Sequence, residues 1–380
     1  MRVLHVGWGF WPWRLGGLIH YAEDLMAAQV ARGDEVGYFF AGRHYPRPSR
    51  PRLRRWSRRD VAMHEVVNGP IVSGLELGTL RPALDVDEPW IEGAFASVLR
   101  SFRPDVVHFQ ELLCLPSSLI DVAAGEGVAT VMTLQDYLPL CSTLRLYDEN
   151  GRHCTLLEVG EDCAVRNAEA PVSRRPFVDD TLRYEIDHWR ARVRLRRWPT
   201  PRPFEWAARN VYEWGLRTVD AEEPPPVDPS PAAYQRRRDV NLQRLERVGR
   251  LVAQSTKVEA IYRARGVHSE RLGTLGFTLE HIHGLRPRAL TAPPERITFT
   301  TLGGCASESK GCYVVSGALA LLREAGLVGR FRFVVLGGVH DRVRELLDGY
   351  AGLEIPEMYT RDLLDGLLDE VDVGIMPSVW

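Results

Sequence analysis

Thr300-Thr301-Leu302-Gly303-Gly304-Cys305-Ala306-Ser307-Glu308-Ser309-Lys310-Gly311 is the stretch on which the reading of this chain turns. Ahead of it, Ile297 and Phe299 alternate with threonine in a strand pattern. Behind it, Cys312 to Ala325 reads as a helix. Strand, glycine-rich loop and helix N-terminus together make an anion site: small residues let backbone N–H groups approach a phosphate, and the helix end adds partial positive charge. Lys310 would supply a full charge on a flexible stem. The spacing is neither a Walker loop nor G-x-G-x-x-G, and a plain turn with a solvated lysine is the competing reading. Of the 48 Lys and Arg residues only Lys257 and Lys310 are lysine, so an ammonium at 310 stands out against an arginine background.

Working outward, 380 residues with 45% hydrophobic content exceed one typical domain, and two are expected. A net charge of −2 gives no reason to expect nucleic acid as a partner. Six cysteines in a chain this long do not make a secreted disulfide framework. Cys141, Cys154 and Cys163, with His153, lack a C-x-x-C pair, so free thiols are expected rather than a structural zinc. Arg2 to Val6 reads as a strand at the very start, with no signal peptide ahead of it, and no apolar run approaches the ~20 residues that span a bilayer. A cytoplasmic protein follows, peripheral at most to the inner face of a membrane.

Along the chain, the strand 2–6 leads into a loop rich in glycine and tryptophan that ends at Gly16-Gly17. A helix from about Leu18 to Ala31 and a strand 35–40 come next, a doubly wound α/β opening whose ligands sit at the carboxyl ends of strands. Arg43 to Arg59 holds eight arginines and three prolines and reads as a mobile surface loop able to meet anionic lipid or sugar phosphate. Strands at 61–67, 105–110 and 128–133 and helices at 90–102 and 116–124 follow. The last two strands deliver His108 and Gln110, then Gln135 and Asp136, toward one edge. Asp179 to Trp198 reads as a basic helix of interfacial pattern, packed on its own domain or on a membrane. Residues 221–231 read as a loop, 235–249 as an arginine-rich helix, 250–253 as a strand and 256–265 as a helix. Beyond a proline-rich link the alternation repeats: helix 312–325, strand 331–336, helix 340–350, a short strand near Leu353, helix 361–368 and strand 371–376.

Taken together, Gly16-Gly17, Asp105-Val106-Val107-His108, the segment Thr133 to Cys141, Gln254-Ser255 and Ser309-Lys310-Gly311 resemble the retaining GT-B glycosyltransferases of family 4. Their order along the chain carries the match. The resemblance implies two Rossmann-like domains facing a cleft: 1–285 on the acceptor side with an arginine-rich helical insertion at about 155–249, a linker 286–295, and 296–380 holding a nucleotide-sugar. It places Lys310, Gly311 and Ser309, with the backbone of Gly16 and Gly17, on the donor phosphates. His108, Gln110, Gln135 and Asp136 fall on the acceptor side. It assigns no protein nucleophile, no metal and no cofactor, the nucleotide-sugar being a substrate. A saccharide or lipid-linked acceptor is expected, in the setting of polysaccharide biosynthesis.

The chain departs from the pattern in four places. Gly304, Cys305 and Ala306 stand where the family carries an arginine before the lysine. Gln135 replaces a histidine and can hydrogen-bond a hydroxyl but not take a proton. Gln110 stands where a second histidine often follows. The family's paired glutamates would lie beyond Trp380, so the second domain is expected to be incomplete and its catalysis impaired. A non-catalytic paralogue that binds sugar nucleotide or a partner transferase is the alternative; a sugar-nucleotide 2-epimerase ranks below both.

Overall fold

The computed structural model describes residues 1–74, 77–147, 153–192, 202–268, 270–276, 279–286, 295–303, 305, 307, 310–347 and 363–378. The chain divides into two units, Met1–Phe277 and Thr278–Trp380.

Unit 1 runs β1 (Arg2–Gly7), α1 (Gly17–Ala31), β2 (Glu35–Ala41), β3 (Arg52–Arg58), β4 (Val61–Val67), α2 (Pro89–Phe102), β5 (Val106–Phe109), α3 (Leu119–Gly125) and β6 (Ala129–Leu134). It continues with α4 (Gly160–Arg166), α5 (Arg175–Arg192), α6 (Arg202–Asp220), α7 (Pro231–Leu245), β7 (Arg250–Ala253), α8 (Thr256–Arg263) and β8 (Leu272–Thr274). Its sheet has the order β3-β4-β2-β1-β5-β6-β7-β8, and β3 alone is antiparallel to its neighbour. Val3, Leu4, Val6, Phe39, Phe40, Val107 and Phe109 are buried because helices cover both faces of a parallel sheet.

Local chemistry sets the helix ends. Glu88 caps α2 by accepting from Ile91 N–H at 2.7 Å, while Glu92 reaches back to Glu88 N–H at 3.0 Å, a reciprocal capping box with Pro89 at the first turn. Ser230 caps α7 ahead of Pro231, and Ser255 caps α8. The arginines of α7 turn inward: Arg237 pairs with Asp85 at 2.9 Å, and Arg244 with Asp121 at 2.8 Å and Asp87 at 2.6 Å. The arginine-rich helix thus fastens the loop before α2 and the helix α3 to the core.

The stretch Arg43–Arg59, expected to be a mobile loop, is built structure. Arg52–Arg58 forms the edge strand β3, and Arg43 lies buried with its guanidinium on Glu65 at 2.7 and 2.6 Å and on Glu185 at 2.8 Å. Trp56 packs toward the core while exposed arginines line the open edge, which discourages further strand pairing. The basic helix starts at Arg175, earlier than expected, and 193–198 lie outside the described residues. Residues 202–220, for which the sequence yielded no element, form the long helix α6.

Unit 2 contains β9 (Ile297–Thr301), α9 (Cys312–Glu324), β10 (Phe331–Val335), α10 (Asp341–Leu347), α11 (Leu364–Leu368) and β11 (Val373–Ile375), with parallel strands in the order β10-β9-β11. The strand expected near Leu353 and link residues 287–294 lie outside the described residues. No described helix is long and apolar enough to cross a membrane.

Candidate functional site

The sheet order of unit 1 reverses between β1 and β5, and open parallel sheets take their ligands outside the carboxyl ends of the strands at such a reversal. The first of these loops is held by Tyr38, whose hydroxyl donates to Gly9 O at 2.8 Å and accepts from Gly9 N–H at 3.2 Å. Gly9 has φ 140°, and a Cβ there would meet Arg14 Cγ and Trp13 Cζ3 at 2.8 Å. Arg14 lies against the rings of Trp8 and Trp13, 4.5 and 4.3 Å from their centroids, and pairs with Asp180 at 2.9 Å. Gly16, at φ 130°, opens α1. A Cβ at Gly16 or Gly17 would meet nothing within 4 Å, and the helix start has neither a side-chain cap nor an acid in its first turn. These two glycines border open space at a positive helix end, a place suited to an anion.

Beneath the loop runs a chain of side-chain hydrogen bonds across three strands. His5 on β1 contacts Gln29 Oε1 through Nε2 at 2.7 Å, and Gln110 Nε2 lies 3.0 Å from His5 Nδ1 and 3.1 Å from His108 Nδ1. His108 Nε2 lies 2.8 Å from Thr133 Oγ1, and Gln135 Nε2 donates to Gln110 Oε1 at 2.9 Å. An amide nitrogen donates only, so both imidazoles accept at Nδ1 and carry their proton on Nε2. Burial pushes His5 down to about 4 and His108 down to about 3, so both rings are neutral. Gln110 is 3% exposed and fully engaged. It orients the two histidines rather than lining a cavity, and His108 likewise has both nitrogens occupied.

Three acceptor oxygens at this edge have no partner: Glu111 Oε1, Gln135 Oε1 and Asp136 Oδ2. Asp136 Oδ1 accepts from Leu138 N–H at 2.8 Å, which fixes the turn after β6. Burial raises Asp136 to about 6 and pushes Glu111 well above the usual carboxylate range, the Asp136 charge adding to it and Arg14 opposing it. Unsatisfied buried acceptors are costly, and hydroxyl donors from a polyol would satisfy them. Glu111, Arg14 and His5 escaped the sequence reading. Glu111 had a usable signal, since it follows Gln110 directly at the end of a buried parallel strand.

In unit 2 the strand-loop-helix at 297–324 is present as expected. Gly311 is the N-cap of α9 with φ 80°, and Lys310 N–H and Cys312 N–H both donate to Ser307 O, at 3.1 and 3.2 Å. Lys310 is exposed at this helix start, which has no side-chain cap and no acid in its first turn. A Cβ at Gly311 would come within 2.1 Å of Pro377 O, so the glycine is demanded by packing as well as by φ. Ser309, with Gly304 and Ala306, lies outside the described residues. Cys141, Cys154 and Cys163 are buried free thiols, and no group of metal-ligating side chains forms among the described residues.

No protein-family profile matches the sequence, and no curated protein is similar to it in sequence. Solved structures do resemble it. Sucrose-phosphate synthase from Thermosynechococcus elongatus superposes with a TM-score of 0.52 at 13% identity, over 100% of this chain and 76% of that one. The UDP-forming α,α-trehalose-phosphate synthase from Burkholderia xenovorans, in complex with glucose-6-phosphate, gives 0.51 at 13% identity, over 98% and 79%. The fold is that of the GT-B glycosyltransferases.

Proposed function

We propose that this GT-B chain is a retaining glycosyltransferase that moves a sugar from a nucleotide-sugar to a saccharide or lipid-linked acceptor. One observation carries the reading. The unpartnered oxygens of Glu111, Gln135 and Asp136 gather at the sheet crossover, in the same unit as the open helix start at Gly16-Gly17. Unpartnered acceptor oxygens and a positive helix end in one unit suit a ligand with several hydroxyls and a phosphate. Lys310, Gly311 and Ser309 are assigned to the donor diphosphate, where an ammonium and backbone N–H groups stabilise charge on the leaving group. Gly16 and Gly17 present backbone N–H groups to donor phosphate or transferred sugar, and Gln135 and Asp136 orient hydroxyls. His108 and Gln110 act beneath them as positioning residues.

A non-catalytic binder is the second reading. It is favoured by the state of two candidate bases: His108 is neutral with both nitrogens engaged, and burial favours the protonated form of Glu111. Incubation of the purified chain with UDP- and GDP-hexoses, alone and with saccharide acceptors, separates the two. Acceptor-dependent release of nucleoside diphosphate, lost in Lys310→Ala and Asp136→Ala, supports the transferase. Nucleotide binding without turnover supports the binder, and failure to bind any nucleotide refutes the transferase and the sugar-nucleotide binder alike.

A further inference from the structure

The helices α5 and α6 pack against each other as a hairpin whose two ends differ. At its base Val178, Leu182, Leu216 and Val219 close a small core, and Gly215 lets α6 approach so tightly that a Cβ would lie 2.7 Å from Leu182 Cδ1. Thr181, Asp180 and Glu185 bind this base to the body through His44 N–H, Arg14 and Arg43. Away from the base, large apolar side chains face solvent: Trp189 is 46% exposed, Trp206 70%, Val211 54% and Trp214 51%.

At about 100° per residue, Trp206 and Trp214 lie roughly 80° apart on α6, on the side opposite Tyr212, Leu216 and Val219. One face is thus spent on the core of the hairpin and the other is a tryptophan face. Charge follows the same division. Among the described residues, 186–192 and 202–210 together hold four arginines and two acids, whereas 175–185 and 211–220 together hold three arginines and five acids. Four of the ten tryptophans fall between Trp189 and Trp214.

We propose that the distal part of this hairpin docks on an anionic phospholipid bilayer, with Trp206 and Trp214 at headgroup depth and Arg190, Arg192 and Arg209 against lipid phosphates. Tryptophan combines an apolar body with a polar N–H and favours the interface. Arginine stems cover apolar surface while the guanidinium reaches phosphate. A protein partner reading this face would not need the excess of arginine, which complements an anionic sheet of charge. The inference stands on the hairpin alone and does not depend on the proposed reaction.

The test is co-sedimentation of the full chain with vesicles of phosphatidylcholine alone and of phosphatidylcholine with one third phosphatidylglycerol. The parent chain should bind the anionic vesicles at least about tenfold more tightly, with a blue shift of tryptophan emission. Trp206→Ala with Trp214→Ala should lower that affinity about tenfold or more while leaving the far-ultraviolet circular dichroism unchanged. Neutralising the three arginines, Arg190→Gln, Arg192→Gln and Arg209→Gln, should cost on the order of a hundredfold, since each basic residue near such a surface contributes roughly fivefold. Equal affinity for neutral and anionic vesicles would overturn the proposal. So would a double tryptophan variant that binds like the parent, or a chain whose tryptophan face proves to be the contact of a stable dimer.

Discussion

Replacing Gln110 by leucine keeps the side-chain volume close to that of the amide but removes a donor shared by two rings and the acceptor used by Gln135. His5 is 0% exposed, so its Nδ1 lone pair is left in the core without a donor; His108 is half-buried and regains part of its hydration. A change of tautomer gives no escape, because Nε2 of His5 faces the Gln29 oxygen and must keep its proton there. With about 1–3 kcal/mol for each abandoned polar group, the expected loss is about 2–5 kcal/mol. Nine of the ten tryptophans precede residue 277, so a urea titration followed by tryptophan fluorescence reads unit 1 almost alone. Gln110→Glu sharpens the test, because a carboxylate accepts and both imidazoles would have to protonate at Nδ1 to meet it. The pKa of His5 in the folded state then rises, so this ring no longer costs stability in acid and the variant's loss of stability on acidification is shallower than the parent's. A Gln110→Leu protein within about 0.5 kcal/mol of the parent, the size of an ordinary surface substitution, would refute the network as a stabilising element. So would a Gln110→Glu protein with the parent's pH slope.

In the parent chain, burial lowers His5 and His64 to about 4 and His44 and His108 to about 3, from 6.5 in the unfolded chain. The unfolded state therefore binds protons that the folded state refuses, and stability, full above pH 6.5, should fall as pH drops through that value toward 4; urea titrations across pH 4–8 measure it. Asp136, raised to about 6, opposes this loss but is outnumbered. His64 has neither ring nitrogen partnered and faces Arg55 across the β3–β4 ladder, so His64→Leu should raise stability at pH 7 by about 1–3 kcal/mol and flatten the acid limb. Lys310→Ala should weaken nucleoside-diphosphate binding by about tenfold or more in calorimetry, a charge-assisted phosphate contact being worth about 1.5–3 kcal/mol; unchanged affinity removes Lys310 from the donor site. Gly311→Ala forces a Cβ onto Pro377 O at a positive φ, and hydrogen exchange should show α9 losing protection by about 1–3 kcal/mol.

Much of unit 1 was legible because its central strands are buried on both faces. Val3 to Val6, Val106 to Phe109 and Thr130 to Leu134 read as short apolar runs whatever surrounds them, and Gly16-Gly17 marks the helix that follows the first. β3 was hidden, since an edge strand carrying Arg52, Arg54, Arg55 and Arg58 has the composition of a loop and becomes a strand only when β4 offers a ladder. α6 was hidden for another reason: exposed tryptophans on its other face mask the stripe of Tyr212, Leu216 and Val219 that packs on α5. At the site, the strand ends that bear His108 and Asp136 were readable. The role of Gln110 was not, because its three partners come from β1, β5 and the end of β6 and meet only in the folded sheet. The inward arginines of α7 eluded the reading in the same way, their acids lying more than a hundred positions away in sequence.

The base of the hairpin has a mechanical consequence. Asp180 grips Arg14, which is stacked on Trp8 and Trp13 in the loop after β1, and Glu185 grips Arg43, which is locked to Glu65 on β4, next to the edge strand of the sheet. α5 is a lever 18 residues long, fastened to the body through Asp180, Thr181 and Glu185. Tension applied to its far end is delivered to those two guanidinium groups before it reaches any backbone of the sheet. Through Arg14, a pull on the hairpin is carried into the glycine and tryptophan loop that leads to Gly16 and Gly17.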